Sequence, residues 1–162
     1  MIDAKLPIGV FDSGMGGLTV LRALQAAMPG ESFIYLGDSA RLPYVNKNTE
    51  TVQEYALQSS AALVDRGIRD VVIACNTASA AALPLLAKAY APLRVFGVIE
   101  PGAQAAASAA ADAEVLVLAT EGTGMDGTYQ RALLAANPDL SVYDRASPLL
   151  VTLAEQGYAE DS

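Results

Sequence analysis

Cys75 is the residue that says most about chemistry in this sequence. It follows the apolar run Val71–Ala74 and precedes Asn76-Thr77-Ala78-Ser79, so it stands where a strand ends and a helix begins. The exposed N–H groups and positive end of such a helix favour a thiolate. The same donors, with the Asn76 amide and the Thr77 hydroxyl, suit a substrate carboxylate. A thiolate beside a bound carboxylate is placed to take a proton from the adjoining carbon. The competing reading makes Cys75 a small buried hydrophobe, the commoner fate of a lone cysteine.

Other polar turns follow other apolar runs. They are Phe11-Asp12-Ser13-Gly14-Met15-Gly16-Gly17, then Gly37-Asp38-Ser39-Ala40-Arg41-Leu42-Pro43-Tyr44, then Gly97-Val98-Ile99-Glu100-Pro101-Gly102, and Ala119-Thr120-Glu121-Gly122-Thr123. With the Cys75 turn, these predict one continuous site for a small polar ligand. Asp12-Ser13 reads equally well as a helix cap ahead of a glycine-rich turn, or as a pair with Ser13 on the ligand and Asp12 near the reacting carbon. Asp38 reads most simply as a cap for the turn after it. Gly14-Met15-Gly16, with Asp38 ending the next strand, imitates a dinucleotide fingerprint. Thr19 stands where its third glycine belongs, and Asp12 would set a carboxylate against the pyrophosphate. The match is weak.

The elements that must hold these turns alternate. Ile8–Phe11, Phe33–Leu36, Val71–Ala74, Arg94–Val98 and Val115–Ala119 read as strands, nearly continuous in apolar residues, as strands covered on both faces are. Leu18, Leu21, Leu24 and Met28 share one helix face, and Val52, Tyr55, Ala56, Ser59 and Leu63 share another, entered at Asn48-Thr49 and left at Gly67. A third helix starts near Thr77, and Pro84 is expected to kink or split it. Ala103–Ala111 and Gly127–Ala136 complete the helices, with Pro138 as a stop. The pattern is that of an α/β fold with a parallel sheet.

Composition narrows the functions. The 162 residues carry a net charge of −8, and the ten basic residues are scattered singly, which argues against nucleic acid. The uncharged run from Val71 to Ala87 contains Asn76, Thr77, Ser79 and Pro84, so it reads as strand, turn and helix rather than a membrane span. No basic flank precedes an apolar core near Met1, so no signal peptide is expected and the cytoplasm is the default compartment. With one cysteine and no histidine, a metal site or a histidine-based triad is not expected.

Taken together, the turns resemble the glutamate racemase family. The similarity rests on Ile8-Gly9-Val10-Phe11-Asp12-Ser13-Gly14 with Gly16-Gly17-Leu18-Thr19-Val20-Leu21, on Gly37-Asp38 and Pro43-Tyr44, and on Cys75-Asn76-Thr77-Ala78-Ser79. Gly97–Ala103 and Thr120-Glu121-Gly122-Thr123 extend it, with little shift in spacing from Pro7 to Gly157. The resemblance implies a Rossmann-like racemase architecture of two pseudo-symmetric domains, here residues 1–97 and an incomplete 98–162. It also implies interconversion of L- and D-glutamate without pyridoxal phosphate, other cofactor or metal, supplying D-glutamate for bacterial peptidoglycan. In the family two cysteines face opposite sides of the α-carbon. Cys75 matches the first, and Asp12 the acid beside it. Ser13, Pro43, Tyr44, Asn76 and Thr77 match substrate-holding positions, with Thr123 as a further candidate. Glu155 falls where another acid approaches from the second domain. A homodimer of the longer parent is a candidate assembly.

Three departures accompany the resemblance. Val45 replaces a glycine usual after Pro43-Tyr44, narrowing the backbone choices where the substrate carboxylate approaches. Ser147 stands where the family commonly has a cysteine. The family also continues into a Gly-Cys-Thr-His segment and a return to the first domain, neither of which precedes Ser162. The expectation is therefore a fragment, a truncated product or a degenerate relative, inactive alone. The alternatives are an aspartate racemase, a single-cysteine decarboxylase, or a non-catalytic glutamate-binding remnant.

Overall fold

Strand and helix alternate along the chain in the computed structural model, which describes residues 3, 5–110, 114–120, 123 and 127–155. The chain divides into two units, Met1–Val98 and Ile99–Ser162. The first holds β1 (Ile8–Asp12), α1 (Leu18–Ala27), β2 (Phe33–Gly37), two short 3-10 turns (Ser39–Arg41 and Tyr44–Asn46), α2 (Thr49–Val64), β3 (Asp70–Ile73), α3 (Asn76–Ala89) and β4 (Arg94–Gly97). Its sheet has the order β2-β1-β3-β4. All neighbours are parallel, with Ile8 opposite both Phe33 and Asp70, and Asp70 opposite Arg94.

The core of this unit forms where β1 and β3 meet α2 and α3. Phe11, Val71 and Ile73 from the strands pack with Val52, Ala56 and Leu63 of α2 and Ala78, Ala82 and Leu86 of α3. Small residues on both helices permit close packing, and Gln53 of α2 donates to the Ala81 carbonyl at 2.8 Å. Asn48 caps α2, its side chain accepting from the Thr51 N–H at 2.9 Å. At the amino ends of the strands lies an ion network. Asp70 accepts from Arg94 at 2.7 and 2.8 Å, and Arg69 joins Asp70 to Glu31. Charge thus ties one end of the sheet and leaves the other for chemistry.

The second unit holds α4 (Ile99–Ala110), β5 (Glu114–Ala119), α5 (Thr128–Ala136), β6 (Ser141–Ala146) and α6 (Pro148–Glu155). β5 and β6 form a two-stranded parallel sheet. Its core is Ala103, Ala107, Leu133 and Leu140.

The α/β class holds, and several details differ from expectation. α3 runs unbroken through Pro84, whose own ring lies exposed at the surface. Glu100-Pro101-Gly102 is the first turn of α4 rather than a loop after β4; proline is tolerated there because that N–H has no helical partner. β6 was not expected: Asp144 and Arg145 hide a strand whose apolar content is little more than Val142 and Tyr143. α1 buries none of its residues. The fifth predicted strand belongs to the other sheet, so the five strand ends do not lie along one sheet.

Candidate active site

From β1 the chain moves outward to β2, then crosses to β3 on the opposite side. The strand order therefore reverses between β1 and β3, and open parallel sheets bind ligands at the carboxyl ends of such strands. Asp12 ends β1 there with Ser13 next in the chain, and Cys75 follows β3.

Asp12 is buried, and its carboxylate is held by its own turn. Oδ2 accepts from the N–H groups of Gly14 at 3.1 Å and Gly17 at 2.9 Å, and from the Tyr35 hydroxyl at 3.2 Å. Gly17 is required for this approach: a Cβ there would lie 2.6 Å from the Asp12 Cβ and 2.8 Å from that of Ala74. These two amides are the ones a dinucleotide pyrophosphate would need. Here they serve a carboxylate of the same chain, which counts against the nucleotide reading.

Cys75 is the N-cap residue of α3, and its Sγ accepts from the Ala78 N–H at 3.4 Å. The thiol donates to Ser13 Oγ at 3.3 Å. The surroundings of Cys75 work against the expected thiolate. Burial pushes the Cys75 thiol above its ordinary range; the Ser13 hydroxyl, when it turns to donate to the ionised sulfur, and the Ala78 N–H oppose this, and the charge of Asp12 reinforces it. The helix end does supply a donor, but desolvation outweighs it. Tyr35 is likewise pushed far up, by burial first and then by Asp12, so it stays a neutral donor.

Asp38 does not cap its turn with its side chain. It accepts from the buried Tyr44 hydroxyl at 2.5 Å and pairs with Arg41 at 2.7 Å. Burial and the Asp38 contact raise Tyr44 far above its usual value, with Arg41 opposing. Arg41 in turn lies over the Tyr55 ring at 4.4 Å and donates to Gln58. The Tyr44 side chain is thus taken up by Asp38. Val45 sits in the second 3-10 turn, a conformation open to any residue, so the missing glycine imposes no strain.

The structure brings Asp12, Ser13, Cys75, Tyr44 and Asp38 into one electrostatic neighbourhood, with Asn76 and Thr77 opening α3 beside them. Thr123 is buried in the second unit, where its N–H donates to the Thr120 carbonyl at 3.2 Å. Glu155 is the last residue of α6, and its side chain lies outside the described residues. Tyr35 and Arg41 were missed as participants. The legible signal was a tyrosine two places before Gly37 and an arginine three places after Asp38. Among the described residues, no group of three His, Cys, Asp or Glu side chains is arranged to hold a metal, and no helix is long and apolar enough to cross a membrane.

Residues 9–161 match the family described as Asp/Glu/Hydantoin racemase. The chain belongs to this racemase family. It is 48% identical over 154 residues to a glutamate racemase of Geobacter metallireducens, covering 95% of this chain and 57% of that relative. The glutamate racemase of Francisella tularensis, solved in complex with D-glutamate, superposes with a TM-score of 0.88 at 35% identity, over 98% of this chain and 59% of that one. That of Thermus thermophilus, solved with β-chloro-D-alanine, gives 0.84 at 45% identity, over 98% and 58%. The chain spans rather more than half the length of the racemases it matches.

Proposed function

We propose that this chain carries the first half of a cofactor-independent glutamate racemase site, with Cys75 as the base on one face of the α-carbon. The reading rests on the meeting of Cys75 with Ser13, 62 residues apart in sequence, beside the anchored Asp12 carboxylate. Glutamate is the substrate class favoured by the relatives' names and by D-glutamate in one of their structures.

In this mechanism the substrate α-carboxylate lies on the N-terminal amides of α3, with Asn76, Thr77 and Ser13 as donors and the Pro43–Val45 backbone closing one side. The ammonium group enters beside Asp12 and Cys75. It supplies the positive charge that favours the thiolate, which burial of the sulfur disfavours. Cys75 then takes the α-proton, and the C–H electron pair moves into the carboxylate, where the same donors stabilise it. A proton returned to the opposite face gives the other enantiomer; one returned by Cys75 restores the first. These 162 residues hold one thiol and no histidine, so we assign the second donor to a longer parent and expect the chain alone not to racemise. By resemblance Thr123 and Glu155 match positions that serve the family's site. Supply of D-glutamate to peptidoglycan and a cytoplasmic location belong to the same reading.

The test is to incubate L-glutamate with the purified chain in deuterated water and follow it by proton NMR and chiral chromatography. The expected result is slow exchange of the α-proton with retained configuration, lost in Cys75→Ala. The opposite enantiomer, formed in proportion to protein and lost in Cys75→Ala, would reveal a second base within these residues. In the longer parent, Cys75→Ala should abolish both directions; activity above about a tenth of the parental rate removes Cys75 from the mechanism.

A further inference from the structure

We infer that Tyr35 is a positioning residue of this site: its hydroxyl, between Asp12 Oδ2 at 3.2 Å and the Gly14 carbonyl at 2.9 Å, fixes which carboxylate oxygen is left for a ligand. All three donors to Asp12 converge on Oδ2, and Oδ1 receives none among the described residues. The two backbone donors come from the turn that Asp12 itself begins. Tyr35 is the donor from another strand, lying opposite Val10 on β2. It therefore sets the carboxylate plane against the sheet rather than merely against its own loop.

The hydroxyl has one proton and two acceptors. While Asp12 is ionised the proton is drawn to the carboxylate; turned to the Gly14 carbonyl, the phenol would point a lone pair at the anion. The direction of the Tyr35 hydroxyl is thus coupled to the charge of Asp12. Gly37 keeps the space for this contact, since a Cβ there would overlap the Gly14 carbonyl oxygen and lie 3.1 Å from the Tyr35 ring. Among the described residues, the titratable groups facing Asp12 are Tyr35 from β2 and Cys75 from the turn before α3. Tyr44 faces Cys75, with Asp38 and Arg41 behind it, and α1 brings no acid in its first turn.

This rests on the reading that Asp12 serves a ligand, but it is measured without turnover, so a failed racemase assay and a failed titration are separate results. The experiment follows the Asp12 carboxyl carbon of the full chain by NMR against pH, assigned by loss of its signal in Asp12→Asn. Tyr35→Phe should move the pH dependence of that signal to higher pH, because the anion loses one donor. Site-specific 3-fluorotyrosine at position 35, a stronger donor of the same shape, should move it to lower pH. If Tyr35→Phe does not fold, the fluorinated chain decides alone. A midpoint that stays put in the fluorinated chain, or that moves the same way in both, overturns the inference and leaves Tyr35 as a brace for the Gly14 turn.

Discussion

β1 and β5 are both runs of apolar residues, yet all five residues of β1 are buried, while β5 alternates exposed and half-buried side chains. β1 has a strand on each side, with α2 packed against it. β5 has one strand neighbour. Leu116 and Leu118 are accordingly 58% and 53% exposed, and Tyr143 on β6 is 53% exposed. An apolar run states what a strand is able to bury; the number of layers around it decides what it does bury. The anchored carboxylate and the thiol both belong to the first unit, at the ends of its two central strands.

Substitutions of equal chemistry in the two units put this contrast at risk. Leu63 on α2 is fully buried, so Leu63→Ala should cost about 2–5 kcal/mol. Leu116→Ala should cost roughly 0.5 kcal/mol or less. Urea unfolding of the two variants decides it, and similar losses at both positions would erase the distinction.

The Asp70 network offers a finer test within the first unit. The Arg94 hydrogen bonds hold the Asp70 carboxyl below its usual range, against the opposing effect of burial. The folded chain therefore binds fewer protons here than the unfolded chain, and stability rises with pH through this window. The contribution is complete above the ordinary aspartate value of about 4 and is lost as pH falls through the lowered folded value. Arg94 is 69% exposed, so solvent screens the pair, and Asp70→Asn should cost only about 1–2 kcal/mol at pH 7. Thermal melts of the two chains should converge only as pH falls through the lowered folded value, since below it the aspartate is protonated in both states. A gap that persists or widens in acid assigns Asp70 a packing role instead.

The smallest effect is a gain. Ser60 on α2 is fully buried, and its Oγ has no hydrogen-bond partner among the described residues. Ser60→Ala should raise stability by up to about 1 kcal/mol, read as a higher melting temperature. A loss would mean that the hydroxyl fills space the methyl does not.

Much of the site was legible because its residues follow strands, and strand ends are readable from apolar runs and glycines. Cys75, Asp12 and Ser13 are all placed that way. Burial was less legible. The helix end beyond Cys75 is visible in sequence, but the core cluster to which Cys75 belongs also draws on Phe11, Tyr44 and Val52, which are far from it in the chain. β6 was hidden for a related reason: its pairing with β5 supplies the hydrogen bonds that its own composition does not advertise.

Local spacing and residue type were enough for the alternation of strands and helices, the turns that carry polar groups and the place of Cys75 before a helix, because these depend on backbone preferences within a few residues. Only the folded chain decided that the Gly14 and Gly17 amides serve Asp12, that Tyr44 is locked to Asp38, and that Tyr35 reaches the carboxylate from β2. Those contacts depend on strand order and on close approach at Gly17 and Gly37, and a pairing across the sheet leaves no periodic mark in the sequence.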